Sequence, residues 1–540
     1  MVSGQVVHRC DTTESGRPTL AADGGGSAEG LAGRVGRAAV WSGASTLFLR
    51  FSNIAVMAVV ARIVAPRDFG VFAVALTVQA IVSSMGVLGV SSALPRGDLN
   101  PDEIAPTVAT ISLLSAGVLA SAMAVFADQL ATALGSPEAA GAIRVMSITV
   151  FLVGVFAVPG ALLTRDFKQR SIFAATVIGF IPSSIVLVLM AADGNGALAF
   201  AWSRVVGQLL MGLTMTVLVS RRYAPGVSRA WIRPLLAFGL PLTGANLLNY
   251  VLLNADYVFI SRLLGPTELG IYMLAFNVAS WSTALLGSVI NNVAMPAFSR
   301  LRGSPRLLGE SLVKSTRGVA LVAFPIAALS LVLSYALIDT VYGGKWVSAA
   351  PTLSILALYG ALFVLCLLFA NVLTGLGHTR LLFVTQLVWV LCLVPAMAVG
   401  IRLGGIEGAA MAHIAVITVV VFPVYLLAVR RSTQLETTAL LRALLPPLAA
   451  AVLAAAVASA CARTVAVAPA QLLLGGAVGA SSYLVLVAPA VAPFVAGHGR
   501  SPGVISQVVN AYCWVARWPQ VLGLGGRSRP AAPLADDARV

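Results

Sequence analysis

An all-helical protein that crosses a membrane many times is the fold class this sequence predicts, on three observations. Of its 540 residues 59% are hydrophobic and 10% charged, with a mean hydropathy of +0.93. Globular domains are about 45–50% apolar and about 25% charged. The apolar residues run continuously for about 20 positions, the length of a spanning helix, whereas barrel strands would alternate over about ten. Basic residues gather in every second loop. The composition alone excludes a soluble enzyme, a disordered scaffold and a collagen-like fibre.

Fourteen windows have the required length: 41–61, 70–92, 105–127, 145–164, 171–192, 197–220, 235–260, 269–294, 317–338, 351–375, 381–401, 406–429, 440–461 and 471–494. With the N-terminus inside, the inside segments hold 26 Lys and Arg. The outside segments hold seven (Arg62, Arg67, Arg144, Arg262, Lys345, Arg402 and Arg463), and Arg50 and Arg204 fall within spans. This bias predicts a multi-pass protein of the cytoplasmic membrane with both termini cytoplasmic. The net charge of +15 is then expected to face anionic lipid heads, not nucleic acid.

Residues 1–37 are polar and lack the apolar core of a signal peptide, so a disordered cytoplasmic tail is expected there. The tail at 496–540 is expected to carry an interfacial helix near 504–524, with Tyr512, Trp514 and Trp518. Cys10, Cys366, Cys392, Cys461 and Cys513 show no metal-ligand or disulfide spacing. Gly344-Lys345-Trp346 lacks the Ser or Thr of a phosphate-binding loop. The longest loops, near 128–144 and 299–316, are too short for a domain of about 50 residues. Neither enzyme activity nor a cofactor or metal is expected.

An internal repeat organises the chain. ARIVAPRDFGVFAVA at 61–75 aligns without a gap on SRLLGPTELGIYMLA at 261–275, matching Arg62 with Arg262, Pro66 with Pro266 and Gly70 with Gly270, while Asp68 and Glu268 keep the carboxylate. Each copy joins the first two spans of a six-span unit, so the units enter the membrane in the same direction. Two parallel six-helix bundles are expected, at 38–220 and 235–430, with a cytoplasmic linker at 221–234 and two extra spans at 431–495. Within each corner Pro stops one helix, the acid opens the next and Gly permits close packing. Arg would pair with that acid or with lipid phosphate.

The stretch from Trp41 to Arg96, including Gly89-Val90-Ser91-Ser92-Ala93-Leu94-Pro95-Arg96, resembles the start of polysaccharide exporters. These are the lipid-linked oligosaccharide flippases of the multidrug/oligosaccharidyl-lipid/polysaccharide superfamily, especially the colanic-acid and teichuronic-acid exporter branch. Pro95 departs from the family, which often has a polar residue there. The resemblance implies an alternating-access secondary transporter without enzymatic activity. Its cargo would be a polyprenyl-diphosphate-linked oligosaccharide for cell-surface polysaccharide, and its partners membrane lipids and a polysaccharide polymerase or glycosyltransferases.

Polar groups inside spans are costly and mark cavities. Thr46, Arg50 and Asn53 share a face of the first span, Asn246, Asn249 and Asp256 a face of the seventh, and Asn277, Trp281, Ser288 and Asn291 a face of the eighth. Under the resemblance, Arg50 and Arg204 would hold a diphosphate, while Asn53, Asn246, Asn249 and Asn277 would meet sugar hydroxyls. Asp256 is a candidate coupling site, a structural partner for Arg50, or a residue of the outer interface near the end of its span. His413 reads as a hydrogen-bonded core histidine, Gly404/Gly408 and Gly475/Gly479 as helix contacts, and the in-span prolines as kinks. Other readings are a cation-coupled multidrug exporter, a peptidoglycan-precursor flippase and a non-transporting scaffold of a polysaccharide synthase.

Cysteines at Ala65 and Thr267 are both expected to react with impermeant maleimide added to intact spheroplasts, and one in the 221–234 linker only after lysis. Labelling of the two corners from opposite sides contradicts the parallel repeat.

Overall fold

The computed structural model describes residues 49–496 except 87, 96–98, 302–303 and 434–436. The terminal tails, Thr46, Arg96, Cys10, Cys513 and the expected interfacial helix lie outside the described residues. Among the described residues there is no strand, and ten helices are long and apolar enough to cross a membrane. The chain is a helical multi-pass membrane protein.

The first half comprises α1 (49–63 in its described part), α2 (Pro66–Gly86), α3 (Pro101–Val125), α4 (Ala127–Ala133), α5 (Ala140–Val155), α6 (Ala157–Arg165), α7 (Gln169–Ala192) and α8 (Gly196–Leu218). The second half follows with α9 (Arg229–Leu253), α10 (Ala255–Leu264), α11 (Pro266–Arg300), α12 (Pro305–Tyr342), α13 (Ala349–Leu376), α14 (Thr379–Val416) and α15 (Phe422–Thr433). Two further helices, α16 (Thr437–Ala462) and α17 (Ala468–Ala496), dock on α12. There a side chain at Gly475 would meet the Ala458 carbonyl at 3.2 Å and Leu333 at 2.8 Å, and the Tyr483 hydroxyl donates to the Leu321 carbonyl at 2.9 Å.

The 54-residue apolar stretch Arg380–Thr433 is two arms. Gly404 and Gly405 leave the helical region (φ −144°, ψ 24° and φ 57°, ψ −138°), and the arms return with Gly400 and Gly408 backbone to backbone. The close contact therefore belongs to Gly400/Gly408, with Gly404 at the bend.

Helix breaks sit at Phe126, Phe156 and Asn254, whose ψ values of 16°, 9° and 10° lie in the bridge region. Pro182, Pro241 and Pro325 lie inside uninterrupted helices, and Pro395 lies in the first arm of α14, before its break at Gly404. Two prolines act upstream of themselves. Pro159 has no N–H for the Val155 carbonyl and the helix breaks at Phe156, while Pro423 follows a π turn at Ile417–Val421. At Asn254, where no proline is at hand, the side-chain amide donates to the Tyr250 carbonyl at 2.8 Å.

The two repeat corners meet each other. A Cβ on Gly70 would lie 1.6 Å from the Pro266 carbonyl oxygen, and one on Gly270 would lie 1.9 Å from the Pro66 oxygen. The contact is reciprocal, as in a pseudo-two-fold interface, and it presses α2 against α11 without intervening side chains. Gly265, at φ 89°, gives the chain a left-handed step into Pro266 that a side chain would strain.

Gly70→Val is expected to cost about 3 kcal/mol by overpacking against backbone that cannot rotate away, seen as a lower Tm in detergent. Gly318→Ala, with no atom within 4 Å of the added methyl, is expected to be neutral or slightly stabilising.

Candidate functional site

Around the glycine contact the halves exchange polar groups. Arg62 does not pair with Asp68. Its guanidinium donates to the Thr340 carbonyl at 2.7 Å and the Val341 carbonyl at 3.4 Å, at the C-terminal end of α12. In return Lys345 Nζ donates to the carbonyls of Arg62 (3.1 Å) and Val64 (2.8 Å), and Trp346 Nε1 to Ala61 (2.7 Å). These carbonyls lie in and just past the last turn of α1, where none has a partner within its own helix, and a cation suits the negative end of the helix dipole. Trp346 is fully buried and meets Phe69 edge-on at 5.4 Å, and Phe69 meets Phe200 edge-on at 5.2 Å. On the other corner, Gly135 packs against the Ser261–Arg262 backbone. Each corner thus rests on the turn between the third and fourth spans of the opposite half.

The carboxylates of the motif diverge. Asp68 lies against Gly196 at the start of α8, where an added Cβ would meet its carboxyl carbon at 2.6 Å. Glu268 is half-buried in the first turn of α11. Arg67 instead pairs with Glu138 on the surface, an exposed pair contributing little to stability.

Directly beneath the contact lies a cavity of about 50 Å³ shared by both halves. Asn53, Ile54, Met57, Ala61 and Phe69 line it from the first half, and Leu274, Asn277, Trp281 and Tyr342 from the second. Two of the expected polar stripes therefore face one space. Arg50 lies on the same face of α1, one turn from Asn53 and Ile54, and its buried Nε has no hydrogen-bond partner. Asn277 donates to the Met273 carbonyl at 2.8 Å, which leaves its amide oxygen for another donor. Arg204 is exposed on α8 and does not line this cavity. It stands about 200° around the helix from Trp202, away from the exposed apolar row Trp202, Leu209, Leu213 and Val217. Asn246 is exposed on α9, the side chain of Asn249 lies outside the described residues, and Asn291 takes a hydrogen bond from Asn371 at 2.9 Å.

On the opposite side, α9 leans on the first half. A Cβ on Gly239 would lie 2.1 Å from the Leu88 carbonyl oxygen, and one on Gly89 would lie 2.6 Å from the Gly239 oxygen. The linker before α9 is strapped along α3: Arg221 donates to both Asp102 carboxylate oxygens at 2.8 and 3.0 Å, and Gly226 N–H to the Pro106 carbonyl at 3.1 Å. A mostly apolar cavity of about 240 Å³ lies here, with Phe156, Pro159, Thr216, Arg222 and Tyr223 among its walls.

Asp256 has no bond to Arg50. It is 3% exposed, in the first turn of α10. Its Oδ2 accepts from the Tyr272 hydroxyl at 3.1 Å, its Oδ1 from the Tyr257 N–H at 2.9 Å, and His413 Nε2 stands 3.9 Å away. His413 is buried, but neither ring nitrogen has a hydrogen-bond partner. Sequence reasoning missed the roles of Tyr272, Trp346 and Lys345. The Gly344-Lys345-Trp346 triplet carried a signal of its own, a cation and an indole donor right after a helix.

A family described as polysaccharide biosynthesis protein matches residues 59–351. The succinoglycan biosynthesis transport protein ExoT of Rhizobium meliloti (strain 1021) is 29% identical over 83% of this chain and 91% of its own. The lipopolysaccharide biosynthesis protein WzxC of Escherichia coli (strain K12) is 25% identical over 70% and 77%. In fold the chain is similar to the lipid II flippase MurJ in an inward closed conformation, with a TM-score of 0.70 and 12% identity over 84% of this chain and 99% of that one.

Trp346→Phe keeps the ring but leaves the Ala61 carbonyl without its donor. It is expected to cost about 1–3 kcal/mol, read as a lower Tm in nanodiscs.

Proposed function

This chain belongs to the polysaccharide biosynthesis protein family, and we propose that it carries a polyprenyl-diphosphate-linked oligosaccharide across the cytoplasmic membrane by alternating access. It acts as a secondary transporter supplying cell-surface polysaccharide, in place of an enzyme of that pathway. The transport name of the 29%-identical relative over 83% of the chain supports the class of activity. The observation that supports the mechanism is a small cavity between the two halves, with Asn53 on one wall and Asn277 and Trp281 on the other, beside the Gly70/Gly270 contact.

In this reading the bundles 38–220 and 235–430 rock about that seal, joined by the linker 221–234 and accompanied by the two helices within 431–495. With the basic loops inside, the corners face outward and both termini lie in the cytoplasm, and the glycine contact would close the outer side. At about 50 Å³ the cavity has room for a few waters and none for a sugar. Cargo enters only when the halves part. Arg50 and Arg204 are the diphosphate ligands, charge-assisted and planar. Asn53, Asn246, Asn249 and Asn277 meet the sugar, with Trp281 offering an apolar face. The polyprenyl tail stays in lipid, and glycosyltransferases or a polymerase act before and after the crossing.

A deletion strain is expected to lose surface polysaccharide and to regain it with the wild-type gene. Arg50→Ala is expected to lower translocation of a labelled lipid-linked oligosaccharide in vesicles about tenfold, the loss of one charged hydrogen bond. Normal polysaccharide in both Arg50→Ala and Asn277→Ala strains overturns the site. Unchanged polysaccharide with new drug susceptibility in the deletion indicates a drug exporter, and an inviable deletion a peptidoglycan-precursor flippase.

A further inference from the structure

A buried carboxylate inside a membrane helix bundle carries a large desolvation cost unless its charge is neutralised. Asp256 has two hydrogen-bond donors, Tyr272 Oη and the Tyr257 N–H, and neither is a cation. The group poised to neutralise it is His413, at 3.9 Å, with a ring free of other bonds.

The helices packed on α10 are α2, α9, α11 and α14. Tyr272 of α11 and His413 of α14 face Asp256, and Tyr257 of α10 lies edge-on to Tyr272 at 6.2 Å. From α13, the Tyr359 ring lies tilted beside His413 at 5.0 Å. Beyond its first turn α2 has no ionisable residue, and beyond Arg233 α9 has none but Tyr250. Arg262 on α10 and Arg402 and Glu407 on α14 are exposed. Glu268 at the start of α11 is half-buried, Arg380 at the start of α14 is exposed, and among the described residues His413 is the one ion-pair partner within reach of Asp256.

We infer that Asp256 and His413, with Tyr272 as the positioning hydroxyl, form a proton-binding pair that drives the opening of the seal between the two halves. With one proton the pair is neutral overall, either as carboxylic acid beside imidazole or as carboxylate beside imidazolium. Without it the pair holds one uncompensated negative charge. The proton comes from water on one side of the membrane and returns to water on the other. A single carboxylate among aromatic rings offers too few oxygens for an alkali cation, and among the described residues no group of three acidic, His or Cys ligands occurs.

The placement supplies the linkage. Asp256 opens α10, a rigid piece of ten residues bounded by the break at Asn254 and by Gly265. The next residue, Pro266, is the one whose carbonyl presses on Gly70. Relief of the charge at one end of α10 therefore acts on the seal at the other. The consequence for cargo rests on the transporter reading above, but the proton site and its link to the seal are tested without cargo.

Infrared difference spectra of the full chain in nanodiscs, taken against pH, are expected to show a protonated-carboxyl band that grows as the pH falls. The band should vanish in Asp256→Asn and persist in Asp256→Glu. In His413→Gln its midpoint should move by about tenfold in proton concentration, one pH unit. A band that survives Asp256→Asn, or an unmoved midpoint in His413→Gln, overturns the pair. In the second arm, spin labels at Ala65 and Thr267 in a cysteine-replaced background should change separation across the same pH range in wild type but not in Asp256→Asn. A separation that ignores pH, or follows it equally in Asp256→Asn, overturns the link. If Asp256→Asn fails to fold, Tyr272→Phe and His413→Gln decide by the same midpoint shift. A positive result with normal polysaccharide in the deletion strain would leave the pair standing and remove the cargo.

Discussion

Backbone meets backbone where Pro66 and Gly70 cross Pro266 and Gly270, and the rest of the molecule is arranged around that approach. Main-chain atoms can come this close only where neither helix carries a side chain. Once they do, α2 and α11 become the seam of the structure. Leu269, Tyr272 and Leu274 from one copy and Phe69, Phe72 and Val74 from the other lie buried around it. The seam needs no hydrophobic driving force between helices, which lipid tails would match. Close van der Waals packing of small residues suffices.

The same corners solve a second problem. A helix that ends near a sealed surface leaves carbonyls that water reaches poorly, and each half supplies donors for the other. Arg62 serves the end of α12, while Lys345 and Trp346 serve the end of α1. These bonds are directional and few, so they hold one arrangement tightly yet can be exchanged for water or lipid phosphate when the halves separate. Packing of Trp346 against Phe69 is less easily replaced.

How much of this was legible depends on the residue. The repeat was visible because its two copies share Arg, Pro and Gly at one spacing, and its glycines pointed to close packing; nothing said that the partner would be the other copy. The polar stripes on the first and eighth spans were legible because helical periodicity fixes which residues share a face, and Asn53 and Asn277 do line one cavity. Asp256 was legible as an oddity, an acid in an apolar run. Its neighbours Tyr272, Tyr359 and His413 come from three other helices, and no local spacing connects them. Prolines act on earlier carbonyls, through the missing N–H and the ring: the helix breaks at Phe156 before Pro159, and a π turn at Ile417–Val421 precedes Pro423.

The sequence by itself determined that the chain is helical, lies in a membrane and carries two copies of one corner motif, because hydropathy and the repeat are properties of residues and their spacing. The tertiary structure alone decided who meets whom: glycine with proline carbonyl, Arg62 with the end of α12, Asp256 with Tyr272 and His413. Pairings between helices far apart in the chain depend on the angle and register of packing, and those are set by the sum of many weak contacts that no single stretch of sequence contains.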